Sequence, residues 1–329
     1  MSDPAAVDGT TAACAAGRRA LAAGDFLLDA TVAACRVLED DGRFNAGRGS
    51  HLRLDGKTVE MDAACMTSDG KSGAVICVSD IRNPILAARR VYDTPHHALV
   101  GTGATRFARG LGLGHREPPS AEALQHALEA RQTLKRLGHA PETGWRLDRI
   151  LARWNYDSPP PEDLRDMRGG GPGHSGDGIR DDVRGDVRDD WGPDNRDIRG
   201  DVSAEIRDAM RESDTVGVVA TDGERFAAAA STGGLSVTLL GRASDVGMPG
   251  ACLYAGPMGA VACTGRGEFL ARRLFAYRVY TGLERGLGAS QAIAHTMEAV
   301  PADVAVGVIA VGRDSSGAAS NRPMPWSRG

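Results

Sequence analysis

The chain changes character along Ser213-Asp214-Thr215-Val216-Gly217-Val218-Val219-Ala220, where a polar, glycine-rich and charge-dense tract gives way to an apolar run. β-Branched residues favour strands, so the run that opens at Thr215 predicts a β-strand. The same threonine has a second interpretation. If the Asp214–Thr215 bond is cut, the freed α-amino group, with a pKa of about 7.7 to 8, can serve as base for the Thr215 hydroxyl. The residue types alone leave both interpretations open.

A second apolar run ends at another threonine. Phe226-Ala227-Ala228-Ala229-Ala230-Ser231-Thr232 follows the turn Thr221-Asp222-Gly223-Glu224-Arg225, and an Asp-Gly pair between two strands is typical of a hairpin. A hairpin returns the end of its second strand to the start of its first. We therefore expect Thr232 beside Thr215, where its hydroxyl would polarise the α-amine or the attacking oxygen.

Two opposite charges stand three residues apart in Gly241-Arg242-Ala243-Ser244-Asp245. A guanidinium binds a carboxylate, and a carboxylate binds an ammonium group, so Arg242 and Asp245 in one pocket would grip both ends of a zwitterion. The alternative is a surface salt bridge between the two side chains.

The segment Ala260-Val261-Ala262-Cys263-Thr264-Gly265-Arg266-Gly267-Glu268 reads as a strand that enters a helix through a glycine-containing turn. Amides at a helix start converge on negative charge, so Thr264 and Gly265 are candidates for an oxyanion hole. We expect the helix to run on without interruption through Phe269 to Val279. Glycine-containing turns between a strand and a helix are common. The oxyanion-hole assignment of Thr264 and Gly265 therefore depends on the presence of Thr215 and Arg242 as well.

Composition sets the outer bounds. The chain has 329 residues, 42% of them hydrophobic and 25% charged, with a net charge of -4, which predicts a globular protein without a global field for nucleic acid or membrane surfaces. Charges interrupt the alanine-rich residues 1–25, so we expect neither a signal peptide nor a membrane span, and a cytoplasmic protein. Six scattered cysteines lack ligand spacing, which predicts reduced, buried thiols and no metal or cofactor.

Three regions of the chain differ in composition and in sequence pattern. Residues 1–156 alternate strand patterns with helical ones, residues 157–213 form a Pro/Gly/Arg/Asp-rich linker that we expect to be mobile, and residues 215–329 carry the chemistry. The first region predicts strands at Thr58–Met66 and Ala74–Val78 and helices near Ala30–Leu38, Pro84–Tyr92 and Ser120–Leu137. The pattern is that of an α+β protein.

These segments resemble, in order, those of a known family. The similar segments outside the ones quoted above are Leu38-Glu39-Asp40-Asp41-Gly42-Arg43-Phe44-Asn45-Ala46-Gly47-Arg48-Gly49-Ser50, Glu60-Met61-Asp62-Ala63-Ala64, Ser72-Gly73-Ala74-Val75 and Asn83-Pro84-Ile85-Leu86-Ala87-Ala88-Arg89. The family is the N-terminal nucleophile threonine hydrolases of the plant-type asparaginase, isoaspartyl peptidase and glycosylasparaginase group.

The resemblance implies a four-layer αββα sandwich, made as one precursor that its own threonine cuts between Asp214 and Thr215. Thr215 would be the nucleophile, with Thr232 and Thr264 as hydroxyl neighbours. The substrate pocket would contain Arg242, Asp245, Gly265, Gly267 and Asn45. The implied reaction is hydrolysis of the β-amide of an aspartyl group, with no cofactor beyond a structural sodium near Leu38–Arg48, in a homodimer of cleaved protomers.

Within the family, the motifs favour β-aspartyl peptides or free asparagine, with glycosylasparaginase activity as the alternative. An alternative of another class is a catalytically silent homologue that binds aspartyl metabolites or a partner. Two departures bear on the choice. Members of the family begin with an apolar strand that ends in His-Gly-Gly-Ala-Gly, which has no counterpart in this sequence, and Cys252 stands where they have glycine. A mis-assigned start and loss of part of the core are the two explanations for the missing strand, and either is expected to lower stability and to threaten self-cleavage.

Overall fold

A computed structural model describes residues 6–53, 55–115, 117–119, 123–125, 127–129, 132, 215–236 and 238–329. The predicted linker 157–213, Asp214 and part of the helix expected over Ser120–Leu137 lie outside these residues. Across the described ranges, no helix has the length and apolar character needed to cross a bilayer. The same ranges contain no cluster of three or more His, Cys, Asp or Glu side chains placed to hold a metal ion.

The described chain belongs to the α+β class, as the sequence predicts. Its helices are α1 (Val7–Ala22), α2 (Leu27–Asp41), α3 (Pro84–Tyr92), α4 (Gly101–Gly110), α5 (Gly267–Arg273), α6 (Phe275–Glu284) and α7 (Ala289–Met297). Its strands are β1 (Glu60–Thr67), β2 (Ser72–Ser79), β3 (Ala98–Val100), β4 (Val216–Thr221), β5 (Phe226–Thr232), β6 (Leu253–Gly256), β7 (Gly259–Gly265), β8 (Val306–Gly312) and β9 (Ser316–Ser320).

The first sheet has the strand order β3-β2-β1-β5-β4 and combines strands from both sides of the predicted linker. The hairpin expected around Asp222-Gly223 is present, because β4 and β5 are antiparallel neighbours. β5 also pairs with β1, with Asp62 opposite Thr232. The end of β5 is thus flanked on one side by the start of β4 and on the other by β1.

The second sheet is antiparallel, with the order β6-β7-β8-β9. It approaches the first sheet closely at Gly217. A Cβ atom at that position would lie 2.9 Å from the Cβ of Ala262 on β7. Glycine at residue 217 therefore lets the start of β4 lie against β7, whose last two residues are the candidates Thr264 and Gly265.

Three apolar clusters hold these elements together. One joins the first four helices to the first sheet, a second joins the second sheet to α6 and α7, and a third contains residues of both sheets, such as Met66, Phe226 and Leu253. The alanines of β5 alternate between the first and third clusters, because successive strand residues point to opposite faces. Both faces of β5 are therefore buried, and small side chains suit that position.

The prediction of an uninterrupted helix from Phe269 to Val279 is wrong. Leu274 adopts a left-handed conformation, with φ of 47°, and separates α5 from α6. In a continuous helix Phe269 and Phe275 would point about 120° apart, since each residue advances about 100°. The break brings both rings into the same cluster, with their centroids 6.0 Å apart. Burial of two aromatic rings thus outweighs the strain at Leu274, whose own side chain is 48% exposed.

Candidate active site

The β4–β5 hairpin brings Thr215 and Thr232 together. Val216 pairs with Ser231, so the next residues outward, Thr215 and Thr232, are neighbours across the hairpin. Both side chains are buried or nearly so. The Thr232 hydroxyl accepts a hydrogen bond from the Gly234 amide at 3.0 Å, which fixes its position beside the strand end.

Thr264 meets Thr215 from the second sheet. The Thr215 backbone nitrogen donates to Thr264 Oγ1 at 3.0 Å. In the uncut chain this nitrogen belongs to a peptide bond, and it stands in for the α-amino group that cleavage would release. Thr215, Thr232 and Thr264 therefore form one polar group at the junction of the two sheets, with Thr264 in contact with the atom that would act as base.

Two positions that follow Thr264, residues 265 and 267, accept only glycine without a steric clash. Gly265 has φ of 143°, a conformation that other residues rarely adopt, and a Cβ atom there would collide with the carbonyl oxygen of Ala305. A Cβ atom at Gly267 would lie 2.7 Å from Asp245 Oδ1 and 2.9 Å from Arg242 Nη2. The short segment from Thr264 to Gly267 thus connects the threonine group to the predicted zwitterion clamp.

The structure brings Arg242 and Asp245 to one place but does not pair them. Arg242 donates to Glu268 Oε1 through Nε at 3.0 Å and through Nη2 at 2.7 Å. The alternative of a surface salt bridge between Arg242 and Asp245 is therefore wrong. The Glu268 side chain is 48% exposed whereas that of Arg242 is 15% exposed, so this ion pair lies at the edge of the site.

Asp245 is buried, and its Oδ2 atom has no hydrogen-bond partner among the described residues. Burial raises the pKa of Asp245 to about 7, although the positive charge of Arg242 acts in the opposite direction. A carboxylate with an unpartnered oxygen in a buried place is suited to bind a cationic group that arrives with a ligand.

Asn45 shapes the wall of the site through the main chain. Its Nδ2 donates to the Gly234 carbonyl at 2.6 Å, and its Oδ1 accepts from the His51 amide at 3.0 Å. The Asn45 carbonyl in turn accepts from the Gly233 amide at 2.9 Å. Asn45 thus ties the loop that follows α2 to the segment that follows Thr232.

Sequence reasoning missed two features of the site. One is Glu268, the last residue of the strand-to-helix segment, whose ion pair with Arg242 was not predicted. The other is a group of charged side chains beneath the clamp, formed by Arg53, Glu60 and Asp62. A signal for this group exists, because Glu60 and Asp62 are acidic residues at alternate positions of an otherwise apolar strand.

The family model that matches this chain and three similar proteins carry the names asparaginase or isoaspartyl peptidase. The chain matches the family model described as Asparaginase over residues 2–146 and 184–325. It is 32% identical to the plant-type L-asparaginase of Pyrococcus abyssi (strain GE5 / Orsay) over 291 residues, which cover 88% of this chain and 76% of that protein. It is 32% identical to the isoaspartyl peptidase of Escherichia coli (strain K12) over 284 residues, 85% of this chain and 70% of that one. The isoaspartyl peptidase/L-asparaginase of Synechocystis sp. (strain ATCC 27184 / PCC 6803 / Kazusa) is 30% identical over 294 residues, 88% of this chain and 71% of its own length.

Proposed function

The chain belongs to the asparaginase family, and from that premise we propose that it is an amidohydrolase that cleaves the β-amide of an aspartyl group. The observation that carries the proposal is the contact between the Thr215 nitrogen and the Thr264 hydroxyl, with Thr232 as neighbour. It gives a freed threonine amine a hydrogen-bond partner. The names of the similar proteins, L-asparaginase and isoaspartyl peptidase, agree with this activity.

In the first half of the reaction, Thr215 Oγ1 attacks the β-carbonyl carbon, and its proton passes to the α-amine of the same residue. The new C–O bond makes a tetrahedral intermediate, whose oxyanion lies against Thr264 and the Gly265 turn. The C–N bond then breaks, and the leaving amine takes the proton from the Thr215 ammonium. In the second half, a water molecule attacks the aspartyl ester, with the α-amine again as base, and returns the Thr215 hydroxyl.

Arg242 and Asp245 would hold the amino-acid end of the substrate. The guanidinium binds the α-carboxylate, and the buried carboxylate of Asp245 binds the α-ammonium group. Arg242 donates to Glu268 through Nε and Nη2. Its Nη1 lies 3.4 Å from the position of a Cβ atom on Gly234. The unpartnered Oδ2 of Asp245 supports this assignment, since an ammonium group would satisfy it.

The active form would arise by self-cleavage. The Thr215 hydroxyl attacks the carbonyl of Asp214 and shifts the acyl group from nitrogen to oxygen, and water then hydrolyses the ester. The products are one fragment that ends at Asp214 and one that begins at Thr215. Because the two sheets share an apolar cluster and each also packs against helices, we further propose the four-layer αββα arrangement of this class for both fragments together.

Two further features follow from the resemblance. The carbonyl oxygens of Gly42 and Phe44 lie where a Cβ atom on Gly49 would collide with them, which makes a small oxygen-lined cradle. A hard cation such as sodium takes ligands of this kind, so the loop fits a structural sodium ion. We also expect the cleaved protomers to pair as a homodimer.

The main experiment compares the wild-type protein with Thr215→Ala. Purified protein is held for days at neutral pH, and intact mass and N-terminal sequencing are recorded. We expect two fragments from the wild type, one of which begins at Thr215, and a whole chain from the variant. A wild-type chain that stays whole and inactive would favour the silent homologue.

Side-by-side turnover tests the substrate class. We expect the cleaved protein to hydrolyse a β-aspartyl dipeptide and asparagine faster than a glycosylated asparagine. Activity on the glycosylated compound alone would instead identify a glycosylasparaginase.

A further inference from the structure

Three charged side chains, Arg53, Glu60 and Asp62, lie beneath the segment 238–245 that carries Arg242 and Asp245. Arg53 is fully buried and Asp62 nearly so. Glu60 and Asp62 are two residues apart on β1 and therefore point to the same face of the first sheet. We call these three side chains the charged cradle.

Arg53 holds the segment from one side. Its Nη1 donates to Thr238 Oγ1 at 2.8 Å. Its Nη2 donates to the backbone carbonyls of Glu60 at 3.1 Å and of Arg242 at 3.3 Å. The guanidinium is also ion-paired to Glu60, with Nε 3.3 Å from Oε2. One side chain thus fixes the main chain of Arg242 and the turn that precedes it.

Glu60 and Asp62, the acidic residues of the charged cradle, accept hydrogen bonds from backbone amides of the same segment. Glu60 Oε2 accepts from the Gly241 nitrogen at 2.7 Å. Asp62 Oδ2 accepts from the Ser244 nitrogen at 2.5 Å, and its Oδ1 accepts from the Cys77 nitrogen at 2.6 Å. The residues immediately before Arg242 and immediately before Asp245 are therefore both anchored to β1.

Stability alone does not explain why a buried position such as residue 53 is occupied by arginine. Burial lowers the pKa of Arg53, against the effect of Asp62 and Glu60, and buried ion pairs are often no more stable than apolar side chains of similar volume. A guanidinium offers something that an apolar side chain lacks, namely a rigid fork that reaches several acceptors at once. In this fold two of the three acceptors, Thr238 Oγ1 and the Arg242 carbonyl, belong to the segment that carries Arg242 and Asp245.

We infer that Arg53 is a positioning residue, which orients Arg242 and thereby sets the affinity for the α-carboxylate of the substrate. The inference rests on the proposed function. Arg53 is fully buried whereas the side chain of Arg242 is 15% exposed, so in this proposal Arg242 and not Arg53 contacts the substrate. A Cβ atom at Gly234 would lie 2.8 Å from Arg53 Nη1 and 3.4 Å from Arg242 Nη1, so both guanidinium groups lie close to one glycine.

The first part of the test uses four single variants of the full chain. Arg53→Met removes the fork at similar volume, and Arg53→Lys keeps the charge with fewer donor directions. Thr238→Val removes one acceptor of Arg53 without touching a charge. Arg89→Met is the matched control, because Arg89 is a half-buried arginine that is ion-paired to Asp29 and Asp93 away from the clamp.

The readouts are the dissociation constant for L-aspartate by calorimetry, and KM and kcat for a β-aspartyl dipeptide. Loss of a charged hydrogen-bond network corresponds to about a tenfold weaker affinity, so we expect that increase in Kd and KM for Arg53→Met, with kcat within about twofold. Arg53→Lys should recover part of the affinity, and Thr238→Val should weaken it by about threefold. Arg89→Met should change the melting temperature but neither constant.

A double-mutant cycle separates positioning from a general structural role. If Arg53 acts through Arg242, then Arg53→Met adds nothing to the loss of aspartate affinity in Arg242→Met. Additive losses, or a wild-type Kd in folded Arg53→Met and Thr238→Val, would overturn the inference and leave the proposed function standing. If Arg53→Met fails to fold, Thr238→Val and Arg53→Lys decide by the same criterion. Absence of turnover in the wild type counts against the proposed function instead, and the aspartate Kd still tests Arg53.

Discussion

At Asp245 the proposed binding role and the stability of the fold oppose each other. Its carboxyl group is buried, and Oδ2 has no partner among the described residues. Burial is the main reason why its pKa rises to about 7, from an ordinary value of 3.8. The folded protein therefore binds a proton at this site more tightly than the unfolded chain does.

The direction of the pH dependence follows from linkage. Between about pH 4 and pH 7 the folded state holds more protons on Asp245 than the unfolded state does, so stability falls as the pH rises through that window. Asp245→Asn removes the ionisation. We expect the variant to melt at least about 3 °C above the wild type at pH 8, and the difference to shrink toward pH 4. Calorimetry of the ligand-free protein from pH 4 to pH 8 measures both.

L-aspartate supplies the internal control. The ligand should raise the melting temperature of the wild type at pH 8 and leave that of Asp245→Asn unchanged, because only the carboxylate binds the ammonium group. A stability difference that does not vary with pH would contradict the raised pKa of Asp245.

The residue scale also separates what sequence could predict from what it could not. Thr232 beside Thr215 follows from counting along a hairpin, because the register of two adjacent strands is a local property. Arg242 and Asp245 were expected to bind the two ends of a zwitterion, and the ion pair of Arg242 with Glu268, which is 26 residues away in sequence, was not predicted. The contacts of Arg53 with the segment that carries Arg242 have no local signal, since Thr238 and Arg242 lie more than 180 residues further on.

Among the elements, the break between α5 and α6 is the clearest departure from local propensity. Nothing in the residue types around Leu274 interrupts a helical pattern, and the predicted helix therefore runs through it. The tertiary structure decides otherwise, because the burial of Phe269 and Phe275 in one cluster requires a change of direction. A non-glycine residue in the left-handed region costs about 1 kcal/mol or more.

Leu274→Gly should therefore stabilise the protein. Glycine adopts this φ without strain, and little burial is lost because the Leu274 side chain is about half exposed. We expect the melting temperature to rise by about 2 to 4 °C. Calorimetry of the variant beside the wild type is the measurement.

The control is Leu287→Gly. Leu287 is 37% exposed, but it does not have a positive φ. Here glycine gains nothing in the folded state and raises the entropy of the unfolded chain, so the melting temperature should fall. Equal effects of the two substitutions would mean that strain at Leu274 is not what the first variant relieves.

At the scale of the whole molecule, the predicted cut does not divide the fold into separate bodies. The first sheet takes β1, β2 and β3 from one side of Thr215 and β4 and β5 from the other. The α+β class could be predicted from the sequence because it depends on local periodicity. The pairing of β1 with β5 could not, because it joins strands from opposite sides of the linker.

The same topology predicts that cleavage leaves one cooperative unit. Besides the β1–β5 pairing, buried hydrogen bonds cross between the two parts, among them Ser231 to Glu39 at 2.6 Å and Asn45 to Gly234. We therefore expect the two fragments to elute together from a sizing column at neutral pH and to melt in a single transition, and to separate only in denaturant. Uncleaved Thr215→Ala should elute at the same volume and melt at a higher temperature, because the intact linker lowers the entropy of its unfolded chain. Fragments that part without denaturant would contradict a sheet shared between them.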